Sequence, residues 1–466
     1  MALVLSLCAA YVAYCVGTNP AGPFTTPDSF HYLNATAIVP LGYPFFLKIV
    51  GAGGAIIAQP IIFGAALAFL GTEIVKLTRS TWLGAAVVAG SMLLPQIREY
   101  HASILSESLF LSLLVVFLGF AVRFAYHPAW HLMVLVAISA GLSATVRRTG
   151  FAFVPVMFAM VLMQRHRLRG SRTPLFLVAA LAPFFVIIGA EQAIAPIVHG
   201  GKSSSLMGRH MFAKAALIDA PEAPATPDAV RTVLDRHLQS DYAPIRAFLS
   251  SAPADLRGVL SIYYETCLQG GCVDRSRALM ANMDESQQTQ LLGAAGNARI
   301  QRAPLAFARL MAMNYQSLWI VDRLRHPDRA LELNAFIASH RPMPFEELAF
   351  RLAPGQLLEF QPSPRVRYMQ IGISVIAIWT AGIALLGMIA ALARPQLPPM
   401  FAVAATAGLA AHGGLLFTAA LAAGFSRFTI GLWPAIVTAS VFGVSSILPR
   451  LRQDGMSRET TIPTER

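Results

Sequence analysis

Charged side chains are what this sequence chiefly lacks. Asp, Glu, Lys and Arg make up 13% of its 466 residues, about half the roughly 25% of an ordinary soluble domain. With 55% hydrophobic residues and a mean hydropathy of +0.57, that deficit excludes a soluble globular chain and points to a polytopic membrane protein. Acids are outnumbered by bases, 24 against 36, for a formal net charge of +12. The surplus is scattered over loops beside apolar runs, where basic residues set orientation and meet anionic lipid. It is therefore no sign of nucleic-acid binding. Only four cysteines are present, too few for a disulfide scaffold, and no group of residues has the spacing of a zinc site. The polar stretch 199–365 lacks both an alternating strand pattern and an internal repeat. The first apolar run has no basic segment before it and no small-x-small site after it, so it reads as an anchor rather than a signal peptide.

What is present is a succession of apolar runs near the ~20 residues that cross a bilayer. They lie at 1–17, 52–75, 81–97, 102–125, 129–146, 150–164, 173–198, 366–393, 398–424 and 428–448. The expectation is an all-α polytopic membrane protein with about ten transmembrane helices. Lys and Arg in short loops orient it: a cytoplasmic N-terminus places Lys76, Arg79, Arg123, Arg165, Arg167, Arg169, Arg172, Arg394, Arg450 and Arg452 inside. The chain then divides into an N-terminal transmembrane module 1–198 with an outer loop at 18–51, a mainly helical extracytoplasmic insert 199–365, a C-terminal transmembrane module 366–449 and a cytoplasmic tail 450–466. The insert has helical periodicity over 226–250, 284–301 and 327–350. Its stretch 302–319, like 30–50 in the first loop, has the aromatic, amphipathic mixture of helices that lie at a membrane interface.

Cys8 and Cys15, seven apart in the first apolar run, fit a small apolar role on one helical face. Cys267 and Cys272 bracket Leu-Gln-Gly-Gly in the insert. An extracytoplasmic location favours a local disulfide there over two unpaired thiols.

Several polar residues are poorly explained by packing. Asp28 stands in the first outer loop between proline turns and beside Phe30, His31 and Tyr32, and ionisable groups near a bilayer edge handle water, ions or charged headgroups. Arg98, Arg147, Arg148 and Arg427 fall in short outer loops, against the positive-inside trend; an anionic ligand is one reason for cations there, and snorkelling to lipid headgroups is the other. Glu99 and His101 occupy the second outer loop and are candidates to assist Asp28 or to hold a divalent ion such as Mg or Mn. Glu107 lies at a helix start, where the dipole welcomes an acid. Glu191 is either a buried polar contact or part of a loop. Arg209, His210 and Lys214, after the seventh run, read as a supplement to an anion site or as solvated helix charges. Asp28 also reads as the cap of a helix starting near Phe30.

In order along the chain, these residues resemble the GT-C class of polyprenyl-phosphate-dependent glycosyltransferases, in the branch of protein O-mannosyltransferases and aminoarabinose transferases. Asp28 and Tyr32 match an Asp-x-x-x-Tyr element, followed by the Gly42-Tyr43-Pro44 turn. Ser106-Glu107-Ser108-Leu109 matches a Ser/Thr-Glu-Ser/Thr-Leu helix start, Arg147, Arg148 and Gly150 an Arg-before-Gly outer loop, and Arg427-Phe428 through Trp433-Pro434 an Arg-aromatic step before a proline-bearing span. The chain departs from the pattern in having Ser29 where a second acid often follows the first, and Phe428 in place of a tyrosine.

The resemblance implies an integral enzyme of a bacterial inner membrane, with its site facing the periplasm. It would move a sugar from a polyprenyl-phosphate donor to a lipid, glycan or protein acceptor. Asp28 would be the base; Arg147, Arg148 and Arg427 would face the phosphate; and Tyr32, Glu99, His101 and Glu107 would shape the substrate pocket. Three other readings remain beside it: an O-antigen-ligase-like enzyme centred on Arg and His, a lipid-linked glycan transporter or flippase, and a non-catalytic envelope-assembly subunit.

Overall fold

A computed structural model describes residues 1–168, 173–199, 207–221, 229–241, 243, 246, 267–268, 272–319, 364–393, 396–422 and 427–458. The described residues are helical almost throughout and contain no strand, only an isolated bridge between Phe24 and Ser103. The N-terminal part comprises α1 (Ala2–Gly17), α2 (Pro27–Leu33), α3 (Gly42–Val50), α4 (Ala52–Thr78), α5 (Thr81–Met92), α6 (Pro95–Ala102), α7 (Ser106–Tyr126), α8 (Trp130–Val146), a 3-10 turn (Arg148–Ala152), α9 (Phe153–Gln164) and α10 (Thr173–Val198). The polar insert contributes α11 (Met207–Ala216), α12 (Ala229–Asp241), α13 (Cys272–Ala278), α14 (Glu285–Arg302) and α15 (Pro304–Ser317). Helices α16 (Pro364–Ala393), α17 (Pro399–Leu421), α18 (Arg427–Gly431) and α19 (Trp433–Arg458) follow.

Five helical stretches, Ala52–Thr78, Glu107–Tyr126, Thr173–Val198, Tyr368–Ala393 and Pro399–Leu421, are long and apolar enough to cross a membrane. Five shorter apolar stretches, Ala2–Gly17, Thr81–Met92, Trp130–Val146, Arg148–Gln164 and Trp433–Ile447, occupy the remaining apolar runs. The run expected over 81–97 breaks at Leu93, because Pro95 has no backbone N–H to continue a helix and opens α6 instead.

α7 is the central helix. Most of it is buried against α4 and α8, whereas α10 and α16 keep most of their apolar surface exposed on the outside. Alanine and glycine let α17 lie close to its neighbours, and a Cβ added at Gly408 would come within 3.0 Å of the Thr380 carbonyl of α16. On the side expected to be cytoplasmic, basic residues sit on helix C-termini, the negative end of the dipole. Arg167 donates to Ala125 O at 3.1 Å and Arg165 to Leu392 O at 3.2 Å.

The insert has its own core, built on Phe212, Leu217, Leu234, Leu238 and Leu292 and closed by a Cys267–Cys272 disulfide. α11 and α14 approach closely at Gly208, Gly293 and Gly296. The fully buried Arg299 donates to Ala215 O and Ile218 O, both at 3.1 Å, and faces Asp235 at 3.5 Å. Its charge is thus compensated, as burial demands. The helical patterning at 327–350 lies outside the described residues.

Candidate functional site

The start of the helix that carries Asp28 is held by a small polar frame. α2 starts at Pro27, and Thr26 rather than Asp28 occupies the cap position; the Thr26 N–H donates to Ser29 Oγ at 2.8 Å. Asp28 therefore lies in the first turn of α2. Ser29, fully buried, donates onward to Ile104 O at 2.9 Å. Backbone bonds from Phe24 N–H to Ala102 O and from Ile104 N–H to Phe24 O, both 2.9 Å, tie the same segments together. The first loop is thereby clamped over the start of α7.

Tyr32 and Ser106 share a hydroxyl hydrogen bond of 2.9 Å. Burial raises the Tyr32 phenol well above its ordinary pKa, the Glu107 carboxylate raises it further, Arg147 acts in the opposite sense and Asp28 adds to the rise. Asp28, Glu107 and Arg147 are thus all electrostatic neighbours of one phenol. Glu107 forms a 2.6 Å ion pair with Arg147, and their side chains are 3% and 15% exposed. The Arg147 guanidinium also lies over the Phe428 ring, 5.0 Å from its centroid, a cation–π contact. Phe428 is therefore an aromatic face for Arg147. Arg427 begins α18 beside it; its side chain lies outside the described residues.

Glycines allow this convergence. A Cβ at Gly42 would fall within 2.7 Å of Thr145 Oγ1, and one at Gly150 within 2.4 Å of Ala144 N. The close approach sets the first-loop turn and the 3-10 turn against the end of α8, where Arg147 emerges. Arg148 turns to a different partner, donating to Glu191 at 2.6 Å. The other Glu191 oxygen accepts the Leu41 N–H at 3.0 Å. Glu191 is therefore a buried polar contact, joining α10 to both the start of α3 and Arg148. The two adjacent arginines each answer a different carboxylate.

The remaining site residues are more dispersed. His101 is fully buried, with Nδ1 2.7 Å from Ser108 Oγ and its ring against Phe63 and Tyr11; burial pushes its pKa down to about 3. That places a neutral imidazole inside the protein rather than on an open surface. The Glu99 carbonyl accepts from Ser103 Oγ at 2.7 Å. Arg98 donates to Thr18 Oγ1 and Thr18 O at 3.1 and 2.7 Å and lies over the Tyr14 ring. It caps the end of α1, which accounts for a cation in an outer loop. Arg209 pairs with Glu285, Lys214 is buried with Nζ on Ala419 O at 3.0 Å, and burial followed by the Lys214 and Arg209 charges lowers His210 to about 4. Among the described residues no three His, Cys, Asp or Glu side chains converge as metal ligands.

Sequence reasoning missed Gln59. It lies in α4, 1% exposed, and donates its amide N–H groups to His101 O and Ser103 O at 2.9 and 3.1 Å while accepting from the Tyr43 hydroxyl at 3.1 Å. All its bonding groups are satisfied, and the two carbonyls fix which end of the amide is nitrogen. A lone Gln inside an apolar run was the available signal. No family model, curated protein or solved structure matches this chain.

Proposed function

We propose that the protein is an integral-membrane glycosyltransferase of GT-C type with about ten spans, in a bacterial inner membrane with its site and insert on the outer face. It takes a sugar from a polyprenyl-phosphate donor. The observation that carries this reading is the gathering of Asp28, Glu107 and Arg147 around Tyr32, with Phe428 on Arg147. Four chain segments far apart in sequence supply these residues, and they are the segments on which the family resemblance rests.

In the proposed step the acceptor hydroxyl oxygen attacks the anomeric carbon while the bond from that carbon to the phosphate oxygen breaks. The phosphate leaves with the bonding electrons, and the hydroxyl proton passes to the Asp28 carboxylate. Arg147, oriented by Glu107 and Phe428, supplies positive charge to the departing phosphate. One base and no covalent intermediate give inversion at the sugar. Glycan and lipid profiles of strains carrying wild type, Asp28→Asn and a deletion test the assignment. The Asn variant is expected to match the deletion; full wild-type glycosylation by that variant removes Asp28 from the role of base.

One observation favours a second reading. Arg147 and Arg148 are both ion-paired to carboxylates of neighbouring helices, which suits a non-catalytic envelope-assembly subunit whose polar residues brace its outer end. In that case Asp28→Asn leaves the glycan profile intact, whereas breaking either ion pair lowers the amount of folded protein.

A further inference from the structure

His412 lies within α17, 7% exposed, and is bonded on both ring nitrogens. Nε2 is 2.9 Å from Thr380 Oγ1 on α16, and Nδ1 meets the Tyr315 hydroxyl at the end of α15 in the insert. The Thr380 hydroxyl donates its hydrogen to Ile376 O at 2.8 Å or Ala377 O at 3.2 Å. With that hydrogen on a helix carbonyl the Thr380 oxygen accepts from Nε2–H, and Nδ1 then accepts from Tyr315. The chain of bonds has one direction, from Tyr315 through His412 and Thr380 to a helix carbonyl.

The same end of α15 is fastened twice more. Thr429 Oγ1 of α18 donates to Leu318 O at 2.5 Å, and Gln370 Nε2 of α16 to Trp319 O at 3.0 Å. The Trp319 ring lies 5.6 Å from the imidazole.

We propose that His412 is a protonation-sensitive latch, which holds the end of α15 against the C-terminal apolar helices while the imidazole is neutral and releases it when the imidazole gains a proton. A second ring proton would point at the Tyr315 O–H, so that two donors face each other. The new charge would also stand without an opposite one. The elements packed against α17 carry Tyr315 and Arg309 on α15, Arg148 on the 3-10 turn (paired with Glu191), Arg209, His210 and Lys214 on α11, Glu107, Arg123 and Tyr126 on α7, and Tyr368 on α16. Among these described groups Tyr315 is the one bonded to the imidazole. The two ring nitrogens face hydroxyl groups, those of Tyr315 and Thr380, and not a carboxylate. Phe428 and Thr429 are adjacent, one on Arg147 and the other on Leu318 O, so release of α15 reaches the Arg147 site through α18.

The test is hydrogen–deuterium exchange of the 304–319 segment in the full-length protein in lipid nanodiscs. Measurements run between about pH 7.5 and about pH 4.5, with times scaled for the intrinsic rate. Wild type is expected to lose protection in this segment by about tenfold or more at the acid end, the scale of one buried hydrogen bond. His412→Phe should be poorly protected at both ends with no acid step. Tyr315→Phe, which keeps the ring and removes the donor, should lose protection at neutral pH while α7 stays protected as a control for folding. Titration of His210 in the insert would leave an acid step in His412→Phe. An acid step that survives His412→Phe, or a wild-type segment equally protected throughout, overturns the proposal.

Discussion

Gln59 and Glu107 hold the candidate site in different ways, and their substitutions should differ accordingly. Gln59→Leu keeps bulk in α4 but strips partners from His101 O, Ser103 O and the Tyr43 hydroxyl. Each buried group left bare costs about 1–3 kcal/mol, so thermal unfolding in detergent should drop markedly. Glu107→Ala leaves Arg147, 15% exposed, without its carboxylate, a loss of about 3–5 kcal/mol for a buried pair. The double variant Glu107→Ala with Arg147→Met should be more stable than Glu107→Ala alone, because no uncompensated charge remains. Denaturation of all four proteins checks the sign of that coupling. His101 and His210 give a pH signature. Their folded pKa values, about 3 and about 4, lie below the ordinary 6.5, so the unfolded chain takes up protons that the folded one refuses. Stability is therefore full above about pH 6.5 and falls as pH drops toward 4, by up to about 1.4 kcal/mol per pH unit for each histidine. His101→Gln should flatten the slope if its fold is retained at neutral pH.

At the scale of elements, the apolar runs marked the long apolar helices α4, α7, α10, α16 and α17, because apolar length is a strong signal. The interruptions were less legible. Pro95 marked the break after α5, yet an apolar run continuing to Ile97 disguised it. Asp28, Tyr32, Glu107 and Arg147 were visible one by one as polar residues at the ends of apolar runs. The pairings were not: Glu191 meets Arg148 across 43 residues of chain and Gln59 meets His101 across 42, and nothing local encodes such distances. Glycines carry part of the missing information. Gly150→Ala should disturb the 3-10 turn, since its Cβ would overlap Ala144, at a cost of about 1–3 kcal/mol for overpacking. Gly382→Ala in α16 has open space around it and should leave the melting temperature unchanged or slightly raised. Melting curves of the two variants side by side check the contrast.

At the scale of the molecule, two cores are joined by a narrow seam. The insert's core is distinct from that of the apolar helices, and Lys214, Asn314 and Tyr315 reach across to α17. The disulfide belongs to the insert alone and closes a short loop, a sequence separation of 5, which is worth about 2 kcal/mol by chain entropy. Reduction, or Cys272→Ser, should make the insert easier to cleave by protease while the apolar helices stay intact; mass mapping of the fragments reads the difference. The Gln59 brace has a consequence for how this protein can change. One side chain in α4 grips the second loop and, through Tyr43, the first, so the segments around 24–43 and 95–106 are not separately exchangeable. A chimaera that imports either loop alone inherits half of a joint. Variation that alters specificity at this end must alter both loops together or leave Gln59 and its three partners as they are.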